Sequence, residues 1–429
     1  MRACSTPRAA SRPWSVLRSF SSPPRTLTYT VDSLRSAVVF TPVTVTKPIR
    51  GSFSVWIASE RTSRSDSSTR LIRPVDTPLR YPAVVRNLLF ASLALAPLTI
   101  ALHYLAHPGG FVDFVLAAAA LIPLAWIIGD ATEHAANHTG PGIGGFLNAT
   151  FGNAPELIIA LFAVADGLFE VVRGSLTGSV IGNLLLVLGF SLLFGGRGEL
   201  DRSSALVSLG LVGLATLLFL VPAAPAFGAD DPEQRLYALL SIGPAVVLLV
   251  VYVVTTYLSL RRHRQLHLAR DPDEDGWSLL LALVVLGIAT LATALIAEIL
   301  VGSIETFAER AHLSDFFVAA VIIAIVGNAA EHGGAVVVAA RGKIELAAEI
   351  ALASSAQVAV FLIPAVALLA WTIEPLALSF RPVEIGVLAG STALTTLLIA
   401  DGRSSRLKGV VLIGAYVVAA AAFFAAGDR

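Results

Sequence analysis

The chain has few charged residues and almost no cysteine. Charged residues make up 14% of its 429 residues, whereas soluble domains carry about 25%. The single cysteine, Cys4, excludes an intrachain disulfide and any zinc or iron–sulfur site built from several cysteines. Hydrophobic residues make up 55% of the chain, and its mean hydropathy is +0.78. This composition excludes a soluble globule and indicates a protein that crosses a bilayer several times.

Residues 1–82 differ from the rest of the chain because they are basic and rich in Ser, Arg, Thr and Pro. Residues 1–80 carry 13 Lys and Arg against 4 Asp and Glu, and the remainder carries 17 against 26. We predict a disordered N-terminal extension; an organelle transit peptide and a misassigned translation start are the alternatives. The acidic remainder favours a cationic substrate and no nucleic-acid partner.

Apolar runs near the length of about 20 residues that a bilayer requires begin after residue 84. Eleven such runs predict an all-α polytopic membrane protein with about 11 transmembrane helices. Basic residues concentrate in alternate loops, including the charged linker 261–276, which predicts a cytoplasmic N-terminus. The predicted spans are 86–106, 111–129, 142–165, 173–195, 203–223, 236–260, 277–301, 314–340, 345–371, 383–400 and 408–427.

An internal repeat relates two parts of the membrane region. With an offset of 175, Gly152-Asn153-Ala154-Pro155-Glu156 aligns with Gly327-Asn328-Ala329-Ala330-Glu331, and nine identities fall within residues 152–179. The repeats 111–260 and 277–427 contain five predicted spans each. Because five is odd, the second repeat enters the membrane from the opposite side. The sequence therefore predicts one N-terminal helix followed by two inverted five-helix repeats, an architecture of secondary transporters.

The repeated motif carries chemistry suited to a hard cation. Glu156 and Glu331 lie in apolar stretches, where a carboxylate usually faces a partner or a wet cavity. Gly152 and Gly327 loosen the helices, and Pro155 favours a helix start. Carboxylates, freed carbonyls and the side-chain oxygens of Asn153 and Asn328 form an all-oxygen set that suits Ca²⁺. Protons and Ca²⁺ would exclude each other on these carboxylates, which is sufficient for antiport. The alternative is a structural contact between helices.

Further polar residues are candidates for support of this site. They could add oxygen ligands or proton-path hydrogen bonds, or simply pack between helices; they are Ser179, Asn183, Ser354 and Gln357. His332, next to Glu331, could tune the proton affinity of that carboxylate. Acids near span ends could form a cation funnel or a proton entry, or be ordinary interfacial residues. The predicted path acids are Glu133, Glu298 and Glu305, and other acids of this kind are Glu170, Glu309 and Glu345.

An intramembrane metalloenzyme is an alternative of a different class. His134 and His138 are four residues apart and follow Glu133, a spacing that could bind zinc. The order differs from His-Glu-x-x-His, and no third ligand is evident. We therefore predict a secondary transporter without a cofactor, rather than an enzyme.

The motifs resemble those of a known family. Gly-Asn-Ala-Pro-Glu-Leu-Ile-Ile-Ala at 152–160 and Gly-Asn-Ala-Ala-Glu-His at 327–332 are similar to the two signature repeats of calcium/proton exchangers, in the cation/calcium exchanger superfamily. The resemblance covers about 86–427. It implies exchange of Ca²⁺ for protons with Glu156 and Glu331 as ligands. Some members of the superfamily use Na⁺ or K⁺, so coupling to these ions remains an alternative.

The sequence also bears on location. Its Ala-, Val- and Arg-heavy composition is typical of a GC-rich genome and favours a bacterial plasma membrane. A vacuolar or other organelle membrane is the alternative if the source is eukaryotic.

Overall fold

The computed structural model describes residues 83–227, 234–263 and 277–428, and these are almost entirely helical. The predicted extension 1–82 and most of the predicted linker lie outside the described residues. The first part contains α1 Ala83–Ser92, α2 Leu95–Ala106, α3 Gly110–Phe151, α4 Ala154–Ala165, α5 Phe169–Ile181, a π-helical segment Gly182–Val187, α6 Leu188–Gly195, β1 Gly198–Glu199, α7 Arg202–Ala223, a 3₁₀ turn Ala224–Ala226 and α8 Gln234–His263.

The second part repeats much of this order. It contains α9 Leu279–Val301, α10 Ile304–Ala311, α11 Asp315–Phe317, a π-helical segment Val318–Ile323, α12 Ala324–Gly327, α13 Ala329–Ala340, α14 Ile344–Gln357, a π-helical segment Val358–Leu362, α15 Ile363–Leu369, a 3₁₀ turn Ala370–Thr372, α16 Pro382–Ile399, β2 Arg403–Ser404 and α17 Arg406–Ala426.

Nine helices of the described region are long and apolar enough to cross a membrane, or ten if the bent pair Ile304–Ala311 and Asp315–Gly327 is one span. The all-helical class is confirmed, but the predicted count of 11 is not. The difference comes from the predicted spans 142–165 and 314–340, since neither is one continuous helix. Each is interrupted at a Gly-Asn pair, which a hydropathy window cannot detect.

Helices equivalent at the offset of 175 run in opposite directions. Helix α4 matches α13 residue for residue, and α5 matches all of α14 except its last residue, Gln357. Helix α14 begins beside the end of α6, because Ile344 contacts Gly195. The α5–α6 rod therefore ends where the α14–α15 rod begins, as an inverted repeat requires.

Contacts between loops define two ends of the molecule. At one end, which we name the strand face, β1 pairs with β2 and Ser404 Oγ donates to Gly196 O over 2.8 Å. Ile344 packs so closely on Gly198 that a Cβ there would overlap it. The strand face therefore joins segments 196–202, 341–344 and 401–407, which are alternate loops between the predicted spans and belong on one side of the membrane in that arrangement.

The opposite end, which we name the clasp face, joins segments 168–173, 312–316, 373–381 and 427–428. Arg173 Nη1 donates to Ala377 O over 3.3 Å, and Arg381 Nη1 donates to Gly427 O over 2.7 Å. Asp428 accepts from the backbone N–H groups of Asp315 and Phe316.

Helix α3 is sharply bent despite its 42 helical residues. A Cβ atom on Gly144 would lie 2.9 Å from Ala136 Cβ, whereas eight residues of a straight helix advance about 12 Å. Gly140-Pro141-Gly142 lies between them, and proline supplies no N–H to continue the helix. In the second part the chain bends at the matching place, where helix α10 and segment Asp315–Gly327 form an angle of 107°.

Candidate functional site

Both copies of the motif sit at a break between two helices. Asn153 separates α3 from α4 with φ −105° and ψ 18°, and Asn328 separates α12 from α13 with φ −94° and ψ 6°. Gly152 lies in the first break, and Gly327 ends α12. Because the two asparagines share one backbone conformation, the repeat extends to the geometry of the chain. At such breaks carbonyl groups leave the helical hydrogen-bond pattern.

Glu156 brings the two motifs into contact. It is the third residue of α4, its side chain is buried, and Pro155 occupies the first turn as predicted. A Cβ atom on Gly327 would lie 3.5 Å from Glu156 Oε1 and 3.5 Å from Glu156 Cγ. The carboxylate of the first motif therefore packs against the glycine of the second. It also lies in the first turn of α4, where the helix dipole favours negative charge.

Glu331 occupies the corresponding position in the second motif. It is the third residue of α13, as Glu156 is of α4. Its side chain lies outside the described part of the chain. The backbone thus puts both glutamates one turn after a helix break, at matched positions of the two repeats.

Two hydrogen bonds between repeats surround the breaks. Asn328 Nδ2 donates to Ser179 Oγ over 2.8 Å, and Asn183 Nδ2 donates to Ser354 Oγ over 3.0 Å. All four side chains are buried. Among the described residues, Asn328 Oδ1 and Asn183 Oδ1 have no hydrogen-bond partner. A buried amide oxygen without a partner is costly, so these two atoms are available acceptors for a ligand.

The π-helical segments Gly182–Val187 and Val358–Leu362 were not foreseen from the sequence. They follow α5 and α14 at positions that match to within one residue; Asn183 lies inside the first segment, and Ser354 lies four residues before the second. A π-helical turn widens the helix, and such turns are frequent at functional sites. Their hydrophobic sequences carry no signal that distinguishes them from an α-helix.

The remaining predicted residues lie at varying distances from this centre. His332 and Gln357 are half-buried, and His332 Nε2 has no hydrogen-bond partner within the described region. The predicted path acids Glu133, Glu298 and Glu305 are exposed. No group of three or more His, Cys, Asp or Glu side chains that could hold a metal occurs among the described residues. The structure therefore brings Asn153, Glu156, Gly327 and Asn328 together, but does not draw the path acids into that centre.

The histidines of the metalloenzyme alternative interact with their own helix. His134 Nδ1 lies 2.8 Å from Asp130 O, and His138 Nδ1 lies 2.9 Å from His134 O. The His134 ring also stacks on Trp277 at 4.7 Å. Both δ nitrogens are therefore used within α3.

A cluster of buried charges at the clasp face was not predicted as a unit. Glu384 accepts from Arg381 N–H over 2.7 Å and from Thr177 Oγ1 over 3.4 Å. The Arg381 guanidinium lies 3.7 Å from the centre of the Phe316 ring, and Arg173 is buried nearby on α5. Buried charges must be paired. A glutamate and two arginines at the edges of apolar spans could therefore have indicated in the sequence that these residues form a buried cluster.

Comparison with known proteins places this geometry in a family. The sequence profile described as sodium/calcium exchanger protein matches residues 109–261 and 281–425. A Ca²⁺/H⁺ antiporter of Synechocystis sp. is 36% identical over 356 residues, which cover 77% of this chain and 95% of that protein. A vacuolar calcium ion transporter of Schizosaccharomyces pombe is 38% identical over 325 residues, which cover 72% and 78%.

The fold is also similar to a solved structure. The native YfkE structure superposes with a TM-score of 0.67 at 34% identity, covering 79% of this chain and 99% of that one. The match spans both repeats, as does the sequence profile. The chain is therefore an integral membrane protein that belongs to the sodium/calcium exchanger protein family.

Proposed function

We propose that the protein is a secondary antiporter that exchanges Ca²⁺ for protons across a membrane by alternating access. The observation that carries this proposal is the burial of Glu156 against Gly327, where helices of both repeats break. A site at the junction of inverted repeats is where such transporters bind their substrates. The names of the relatives, a Ca²⁺/H⁺ antiporter and a vacuolar calcium ion transporter, support the choice of ions.

In this proposal both Glu156 and Glu331 bind Ca²⁺ and protons in turn. Two carboxylates neutralise one Ca²⁺, and hard cations prefer oxygen ligands. The amide oxygens of Asn183 and Asn328, together with carbonyls at the breaks, supply the further oxygens such an ion requires. Protonation of the carboxylates removes the charge that holds the metal. The site therefore moves across the membrane loaded with either Ca²⁺ or protons, while the empty, doubly charged form is costly to move.

The proposal includes an orientation and a location. The strand face carries Arg197, Arg202, Arg341, Lys343, Arg403, Arg406 and Lys408. An excess of basic residues marks the cytoplasmic side, so we assign the strand face and the N-terminus to the cytoplasm. The membrane is a bacterial plasma membrane in this proposal, or an organelle membrane if the source is eukaryotic.

The test is Ca²⁺ uptake by proteoliposomes under an imposed proton gradient, with and without Na⁺. We expect uptake that requires the gradient and is unaffected by Na⁺; uptake driven by a Na⁺ or K⁺ gradient instead would favour the alternative coupling. Glu156→Gln and Glu331→Gln each remove a charge at nearly constant size and should abolish uptake. His134→Ala is the matched control, since a metalloenzyme would depend on it and this antiporter should not. Gradient-driven uptake by either glutamine variant would contradict the assignment.

A further inference from the structure

Two helices related by the repeat differ in burial. Every residue of α5 from Val171 to Ile181 is buried. On α14, Glu345, Glu349 and Ala353 are exposed. Residues four apart share one side of a helix, so α14 has an uncovered stripe that begins at the strand face. A charged side chain exposed on a membrane helix requires water, and this stripe therefore borders an aqueous opening.

The corresponding side of α5 is covered by segment 315–327. A Cβ atom on Gly174 would lie 3.0 Å from the Phe316 ring and 3.1 Å from the Phe316 carbonyl oxygen. A Cβ atom on Gly178 would overlap the carbonyl oxygen of Ala320. The helices can therefore close at the clasp face only because position 178 has no side chain.

The repeat identifies what would cover α14. At the offset of 175, segment 315–327 corresponds to 140–152, Ala320 to Gly145, and Gly178 to Ala353. An inverted-repeat transporter exchanges the conformations of its halves when it changes the side that is open. In that exchange, segment 140–152 would lie on α14 as segment 315–327 now lies on α5. Position 353 would then face the carbonyl group of Gly145.

We propose that Ala353 sets the balance between the two conformations. This inference rests on the proposed alternating access. Ala353 carries a methyl group at the position where its counterpart in the other repeat, Gly178, has no side chain. It prevents segment 140–152 from covering α14 as closely as segment 315–327 covers α5. The protein is thereby biased towards conformations that are open at the strand face, and replacement by glycine removes that bias.

The test measures access to the stripe on α14. In a Cys4→Ser background, Glu349→Cys supplies a single thiol, and its rate of reaction with a polar thiol reagent is followed in lipid nanodiscs. Ala353→Gly should slow labelling about fivefold, because a population shift changes access in proportion. Ala353→Ser retains a Cβ atom and should label at the parent rate. Equal rates for the glycine variant and the parent, or equal slowing by serine, would overturn the inference.

A second variant acts from the other repeat. Gly178→Ala adds a Cβ that obstructs closure at the clasp face, so it should also slow labelling of position 349. Unchanged or faster labelling in Gly178→Ala would count against the inference. Ca²⁺ uptake by the parent separates the two proposals. Absence of gradient-driven uptake in the parent refutes antiport, whereas uptake with unshifted labelling refutes only the role of Ala353.

Discussion

The clasp face and the strand face join the same two repeats by different physical means. At the clasp face, Arg381 contacts Glu384, Phe316 and Gly427, and these groups are largely withdrawn from water. At the strand face, a two-residue strand pair and the small contacts of Ser404 and Ile344 join the segments, and the Asp401–Lys408 ion pair beside them is exposed to solvent. Interactions away from water are worth more and are costlier to break than solvated ones. Opening the clasp face therefore costs more free energy than opening the strand face.

Removing the Glu384 carboxylate should lower the stability of the protein more than any other change to the two faces. Glu384→Ala leaves the buried Arg381 without its carboxylate, and loss of one partner of a buried pair costs about 3–5 kcal/mol. We expect a clearly lower thermal unfolding temperature in detergent. Glu374→Ala, at an exposed acid of the adjoining loop, is the matched control and should leave that temperature unchanged. Equal unfolding temperatures for the two variants would show that the clasp does not stabilise the fold.

Adding a side chain where α5 packs closely on segment 315–327 should cause the next largest loss of stability. Gly178→Ala forces a Cβ onto the carbonyl oxygen of Ala320, and overpacking of this kind costs about 1–3 kcal/mol. Gly210→Ala adds the same methyl group to α7, where nothing lies within 4 Å. The unfolding temperature should fall only in the first variant. A similar fall in both would mean that the tight contact at Gly178 is not special.

Removal of the Asp428 carboxylate should have a smaller effect. Asp428→Ala leaves the N–H groups of Asp315 and Phe316 without this acceptor. Loss of such a cap costs about 1 kcal/mol. Hydrogen exchange at residues 315–317 should become faster, with Glu309→Ala as an exposed-acid control. If exchange at these amides stays at the parent rate, the tail does not hold the start of this segment.

The smallest effect is expected at the strand face. Asp401 accepts from Lys408 Nζ over 2.6 Å, and this bond with that from Arg403 N–H holds the pKa of the Asp401 carboxyl below its usual 3.8. A lowered pKa stabilises the fold above pH 3.8, and the contribution disappears only as the pH falls through the lower folded value. Asp401→Asn should therefore show the same small difference from the parent at pH 5 and pH 8. A difference that grows between these pH values would contradict this account.

The centre of the site could be predicted because its residues occur twice in the sequence. Glu156 with Glu331, and Asn153 with Asn328, stand out as polar pairs within apolar runs at one offset. The structure confirms the all-helical membrane fold and shows matching breaks at both asparagines. The role of these residues in binding remains a prediction.

Other features could not be predicted because they depend on contacts across the repeats. Hydrophobic periodicity cannot separate a π-helical segment such as Gly182–Val187 from an α-helix. Hydropathy likewise scored 142–165 as one span, although α3 ends within it. Arg381 and Glu384 are three residues apart at the start of α16, but nothing local in the sequence indicates that the fold brings α5, which carries Arg173 and Thr177, beside them.

The pairing of β1 with β2 imposes an order on biosynthesis. About 200 residues separate the two strands, and a ribosome adds about 5–20 residues each second. The first strand therefore waits for roughly 10–40 s before its partner leaves the ribosome. During the first half of this interval the chain contains Glu156, but Gly327 and Ser354 have yet to be translated. The nascent first repeat therefore holds an acidic side chain before its symmetry mate exists, and this side chain is costly in the bilayer unless water or another polar group faces it.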